Sequence, residues 1–196
     1  MQSAKSIDVR YFINYKFFNS VFTGLSIGSI FSIYTPLQPS VYSVGGIALA
    51  LTMLVIAKFY TKIMNRRYFY RISLAVELVM LAMVCYFLLF SYSYTTALII
   101  YVGYQSTFSF GSYLVRAETV LFRRSKILTF LDVAKQKGYL SGLVLSFLFY
   151  KTLEYLFAVL QNSEQVYYLH FLLFVVEAVT IIYLLRAFRP SLKGRS

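Results

Sequence analysis

The sequence predicts an all-α membrane protein with six transmembrane helices and both termini in the cytoplasm. Three observations carry that expectation. The 196 residues are 59% hydrophobic and only 13% charged, where a soluble domain carries about 25% charged residues. Six apolar runs follow one another along the chain, each near the roughly 20 residues that cross a hydrocarbon core. The basic residues alternate between connections in a way that only an even number of crossings explains.

The first run, about 11–34, ends at Thr35-Pro36-Leu37-Gln38-Pro39-Ser40, where two prolines read as breakers. The second covers about 41–60 and is followed by the basic turn Thr61 to Arg67. The third spans about 70–90 and stops at Ser91-Tyr92-Ser93-Tyr94. The fourth covers about 95–115, before the mixed stretch Arg116 to Lys126. The fifth, about 127–150, contains Asp132, Lys135 and Lys137, and the sixth, about 166–185, precedes a basic tail. Residues 1–196 therefore read as a single membrane domain. Met1 to Arg10 is polar and lacks a signal-peptide hydrophobic region, so the first run is expected to remain as a helix.

The net charge is +12. In a soluble chain that would point to nucleic acid. Here the basic residues flank apolar runs. With six crossings, every Lys and Arg except Lys151 lies on one side, beside both termini, the second connection and the fourth. Cationic loops are retained in the cytoplasm, so the expected location is the cell inner (cytoplasmic) membrane, with the lipid bilayer as partner and no nucleic acid. Tyrosines gather near the span ends, as at Tyr11, Tyr34, Tyr60, Tyr92 and Tyr168, in the manner of an interfacial aromatic belt.

One Cys and one His leave no His/Cys metal cluster and no disulfide. No H-E-x-x-H, G-x-S-x-G or glycine-rich phosphate loop occurs. The chain is therefore not expected to be an enzyme or to carry a metal or cofactor.

Ionisable groups inside spans are costly and are functional candidates by default. Asp132 and Lys135 are three apart and share a helix side, while Lys137 points about 200° away from Lys135. They are either a solute or coupling site, or a snorkelling set near the cytoplasm. Lys16, with Asn14 and Asn19, is polar matter near the start of the first span, open to the same two readings. Gln105, with Ser106, Thr107 and Ser109, gives the fourth span a polar middle that either holds solute or bridges to another helix. Glu77 and Glu177 sit in the third and sixth spans, and either could carry a proton when buried. His170 is alone and reads as an interfacial or hydrogen-bonded residue. Gly138 and Gly142 are four apart, a spacing that lets another helix backbone approach closely.

Three stretches together resemble half of a major facilitator superfamily transporter. Ala57-Lys58-Phe59-Tyr60-Thr61-Lys62-Ile63-Met64-Asn65-Arg66-Arg67 is similar to that family's signature loop G-x-L-A-D-R-x-G-R-R, with Thr61 at the acidic position and Ala57 and Met64 at the glycines. Gly111 to Lys126 is similar to the end of its fourth helix, and Gly138-Tyr139-Leu140-Ser141-Gly142 to its glycine-rich fifth helix. The resemblance implies a latch in which Glu118 pairs with Arg66 or Arg67 at the cytoplasmic ends. It implies a first helix that lines a cavity, and third and sixth helices that are peripheral. A full transporter of this family has twelve spans in two parallel halves. Six spans then imply a parallel homodimer, or a second six-span chain, moving a small anionic or polar solute by alternating access. The competing expectation is a non-transporting membrane subunit or assembly scaffold.

Overall fold

A computed structural model describes residues 7–192, and side chains as far as Arg189. Lys5, Lys193 and Arg195, part of the basic sidedness above, lie outside the described residues. The chain folds into α1 (Val9–Tyr34), α2 (Pro39–Lys58), α3 (Tyr60–Ile63), α4 (Arg66–Leu89), α5 (Tyr94–Phe108), α6 (Gly111–Phe122), α7 (Ser125–Phe157) and α8 (Asn162–Leu192). No strand forms among the described residues.

Local chemistry explains four of the eight helix starts among the described residues. Asp8 Oδ1 accepts from the amides of Arg10 and Tyr11 at 3.0 and 3.3 Å. Asn65 Oδ1 accepts from Arg67 and Tyr68 at 3.1 and 3.2 Å, and Ser93 Oγ from Thr96 at 3.0 Å. Such caps satisfy amides that have no partner inside the helix. Asn65 thus starts α4 four residues before the expected boundary. Pro39, expected as a breaker, instead opens α2, because its fixed φ suits the first helical turn and its missing N–H costs nothing there.

Among the described residues, five helices are long and apolar enough to cross a membrane: α1, α2, α4, α7 and α8. The sixth expected span, about 95–115, is divided between α5 and α6 at Ser109–Phe110. The hydroxyls of Ser106, Thr107 and Ser109 turn back onto the carbonyls of Val102, Tyr104 and Gln105 at 2.8–2.9 Å. Successive side chains competing for backbone carbonyls favour bends in helices, and the break falls at this run. α6 then continues past Val115 to Phe122 and ends in a left-handed residue, Arg123 (φ 47°).

Two apolar clusters mark the ends of the bundle. One joins Phe12 of α1, Phe69 of α4, Phe122 of α6, Leu131 of α7 and Phe188 of α8. The amide of Asp8 there donates to the Ala187 carbonyl at 2.9 Å, so the first helix begins where the last one finishes. The other cluster joins Ile33, Phe87, Ala97 and Val166, at the opposite ends of their helices. Successive long helices therefore run antiparallel, and α5 with α6 leads from the second cluster to the first. The turns carrying Arg66, Arg67, Arg123, Arg124 and Lys126 share the first end.

The outer surface is apolar. α2 has no buried residue, and Val44, Ile47 and Leu51 on it are more than half exposed, as are Phe130, Leu140 and Phe147 on α7. Apolar area on this scale is untenable in water and is what lipid requires of a helical bundle. The chain is a membrane-embedded helical protein.

At the centre, α1 packs against α7 and α8, and α4 against α8 and α5. The α1–α7 contact is backbone to backbone. A Cβ on Gly138 would strike the Phe17 carbonyl oxygen, one on Gly142 the Val21 carbonyl, and one on Gly24 the Tyr139 carbonyl. Gly142→Leu is expected to force the two helices apart at a cost of about 1–3 kcal/mol. Gly46→Ala, at a position with open space around it, should be neutral or stabilising by up to about 1 kcal/mol. Thermal unfolding of both variants in detergent checks the contrast.

Candidate functional site

The glycine contact sets where the charges of α1 and α7 meet. Gly138 rests on the carbonyl of Phe17, the residue after Lys16, and Lys135 lies just under one helical turn before Gly138. The two ammonium groups consequently arrive at one level and converge on Glu118 of α6. Lys135 Nζ donates to Glu118 Oε1 at 2.6 Å and to Asp132 Oδ1 at 3.2 Å. Lys16 Nζ stands 2.7 Å from Glu118 Oε2, close enough for an ion pair but outside hydrogen-bond alignment, since Oε2 accepts no hydrogen bond. Exposure falls steeply along this chain: the Asp132 side chain is 71% exposed, Lys135 26%, Lys16 11% and Glu118 4%. Lys16 also lies 5.5 Å from the centre of the Phe12 ring and 5.3 Å from that of Tyr15, a cation–π setting that offsets part of its desolvation.

The expected latch between Glu118 and Arg66 or Arg67 is replaced by these two lysines. Helical geometry supplies the reason. On α6, Tyr113 donates to the Ile63 carbonyl at 2.8 Å, and the guanidinium of Arg116 sits 5.6 Å over the Tyr60 ring. That face of α6 is turned to the α3 region and to the turn that carries Arg66 and Arg67. Glu118, two residues beyond Arg116, points about 200° away, towards α1 and α7. Arg66 is half-buried at the start of α4 and Arg67 is exposed.

Further into the bundle lies a second polar group. Glu77 of α4 is 1% exposed and Glu177 of α8 is 0% exposed. The Tyr15 hydroxyl donates to Glu77 Oε1 at 2.6 Å. Asn19 Nδ2 lies 3.1 and 3.2 Å from its two oxygens. The Glu177 carboxyl is within hydrogen-bond reach of Glu77, yet neither of its oxygens accepts a hydrogen bond from a donor among the described residues. Lys16 faces Glu77 electrostatically, so it stands between the two acidic centres. Sequence reasoning named both glutamates but neither their contact nor the part of Tyr15. Residues a hundred apart on different helices carry no local sign of meeting.

The remaining candidates fall elsewhere. Lys137 is exposed, as its angle from Lys135 requires, and does not join the cluster. Gln105 lines a cleft of about 380 Å³ between α2 and α5, with Tyr101 and Thr52, and its Oε1 is buried without a partner. No hydrogen bond or ion pair among the described residues joins it to the lysines. Gly138 and Gly142 position the site without lining it. His170 is buried, its Nδ1 2.7 Å from the Val166 carbonyl and its ring 4.0 Å from that of Phe87, a packed and hydrogen-bonded position.

Compared with protein-family models, curated proteins and solved structures, the chain matches none.

Removing the charge of Glu118 leaves two ammonium groups facing each other in a buried setting. Breaking such a centre by deleting one partner costs about 3–5 kcal/mol. Partial exposure of Lys135 puts Glu118→Gln at the lower end of that range, about 3 kcal/mol. Arg67→Ala should leave the unfolding midpoint unchanged. Equilibrium unfolding in mixed micelles compares them, and a larger loss from Arg67→Ala would restore the arginine latch.

Proposed function

We propose that this chain is a transporter of a small anionic or polar solute in the cell inner membrane, working by alternating access as a parallel pair of six-crossing halves. The observation that carries the reading is the pattern of helix partners. Taking α5 with α6 as the fourth crossing, the first crossing packs on the fifth and sixth, and the fourth packs on the second and third. The third packs on the sixth. Exchanging the first three crossings for the last three maps these main pairs onto one another, while the lesser α6–α7 and α7–α8 contacts are not matched in the first half. That is the pairing of two three-helix units inserted in opposite orientation, the nested repeat within each half of major facilitator transporters.

Two features support the same reading. The bundle-spanning segment that would be the fourth crossing is interrupted, and interrupted helices supply polar groups at membrane depth in many transporters. The charge cluster is also graded from exposed to buried. Lys135 is the more accessible lysine and is shared between Asp132 and Glu118. An incoming carboxylate or phosphate exchanges with Asp132 on Lys135 without stripping Glu118 of its second cation, Lys16. The basic end of the bundle, where α1 begins and α8 finishes, faces the cytoplasm in this reading. The bare apolar face of α2 is available to a second copy.

Single-molecule photobleaching at low protein density in bilayers is expected to give two copies per particle. Proteoliposomes challenged with a panel of small carboxylates, phosphates and amino acids on a solid-supported membrane should give charge movement for at least one class. Lys135→Ala should reduce that signal to background while the protein still inserts and elutes as a folded species. A one-copy particle with no response across the panel would favour a scaffold or a subunit that needs a different partner chain.

A further inference from the structure

We propose that Glu77 and Glu177 form one proton-binding site, sharing a single exchangeable proton between α4 and α8 in the core of the bundle. Four observations lead there. Both carboxyls are buried, at 1% and 0% exposure. They are within hydrogen-bond reach of each other. Glu77 already receives donors from Tyr15 and Asn19, the surroundings of an ionised carboxylate, which only accepts. Both oxygens of Glu177 lack a donor among the described residues, and an unsatisfied buried carboxylate is too costly to persist. A proton on Glu177, donated to Glu77, satisfies both groups at once. Two adjacent carboxylates in such a place are costly to ionise together, so one proton is held between them.

The neighbours decide what the proton can do. From α1 the pair is faced by Tyr15, Lys16 and Asn19. From α5, the Tyr104 hydroxyl lies near Ser26 and feels Glu177. Glu118 of α6 acts on the same Tyr15 hydroxyl, and Lys135 of α7 is committed to Glu118. The polar groups therefore follow one another from Glu177 through Glu77 and Tyr15 to Lys16, whose Nζ lies 5.3 Å from the Tyr15 ring and 2.7 Å from Glu118, and on through Lys135 to the exposed Asp132. When the shared proton leaves to water, two negative charges remain, and Lys16 faces the one on Glu77. Its movement from Glu118 towards Glu77 would loosen the outer cluster. Proton binding at the pair stands by itself; its use as the coupling step rests on the transport reading above.

The test is infrared difference spectroscopy of the full chain in lipid vesicles, following the carbonyl stretch of protonated carboxylic acid side chains across pH and in heavy water. The wild type is expected to show such a band at neutral pH, moving on deuteration. Glu177→Gln should remove it. Glu77→Gln should shift its titration by about one pH unit or more. If either variant fails to fold, the wild-type band and its deuterium exchange still decide. No band at neutral pH, or a band that survives in the double Gln variant, overturns the site. So does a pair found ionised and saturable by sodium alone, which would make it a cation site. A band in a protein that moves no solute supports this site and counts only against the transport reading.

Discussion

The close backbone contact between α1 and α7 is the constraint on which the rest of the structure depends. Gly24, Gly138 and Gly142 leave no room for a side chain between the two helices. In lipid the helices gain nothing from hiding apolar surface from water, so van der Waals contact of this kind is a main source of association. It fixes register as well as distance. Because Gly138 sits on the carbonyl beside Lys16, the lysines of α1 and α7 stand level, and one carboxylate on α6 can serve both.

That register makes buried charge tolerable. A lone ammonium or carboxylate in a membrane bundle is costly, but Lys16, Glu118, Lys135 and Asp132 alternate in sign and lead to the surface. The inner pair has no such exit of its own. Among the described residues Glu177 has carboxyl oxygens without a donor, and its acidic neighbour is Glu77, which Tyr15 and Asn19 already occupy. The outer cluster is thus balanced by charge, the inner one by a proton, and Lys16 belongs to both.

Much of the helical frame was legible residue by residue. The apolar runs mark α1, α2, α4, α7 and α8 because apolar length is a local property. Boundaries were less legible where a single residue has two uses. Pro39 reads as a stop but starts a helix, and Asn65 reads as loop but caps one. The fourth run hid its interruption because hydropathy averages across Ser106, Thr107 and Ser109, whereas the break follows from where their hydroxyls turn. Those three residues were visible as a polar middle, and that was the available signal.

Composition and order alone determined that the chain is helical and membrane-embedded, that its basic residues flank alternate apolar runs, and that Asp132, Lys135 and Lys16 are charged groups in or beside the spans. These follow from the transfer cost of each side chain, which needs no knowledge of neighbours. The partners of Glu118 and the meeting of Glu77 with Glu177 were decided in three dimensions. A carboxylate two residues from Arg116 faces the other side of its helix, and which cation waits there depends on how closely α1 and α7 approach. Pairing between distant helices is a property of packing, and packing is set by shape.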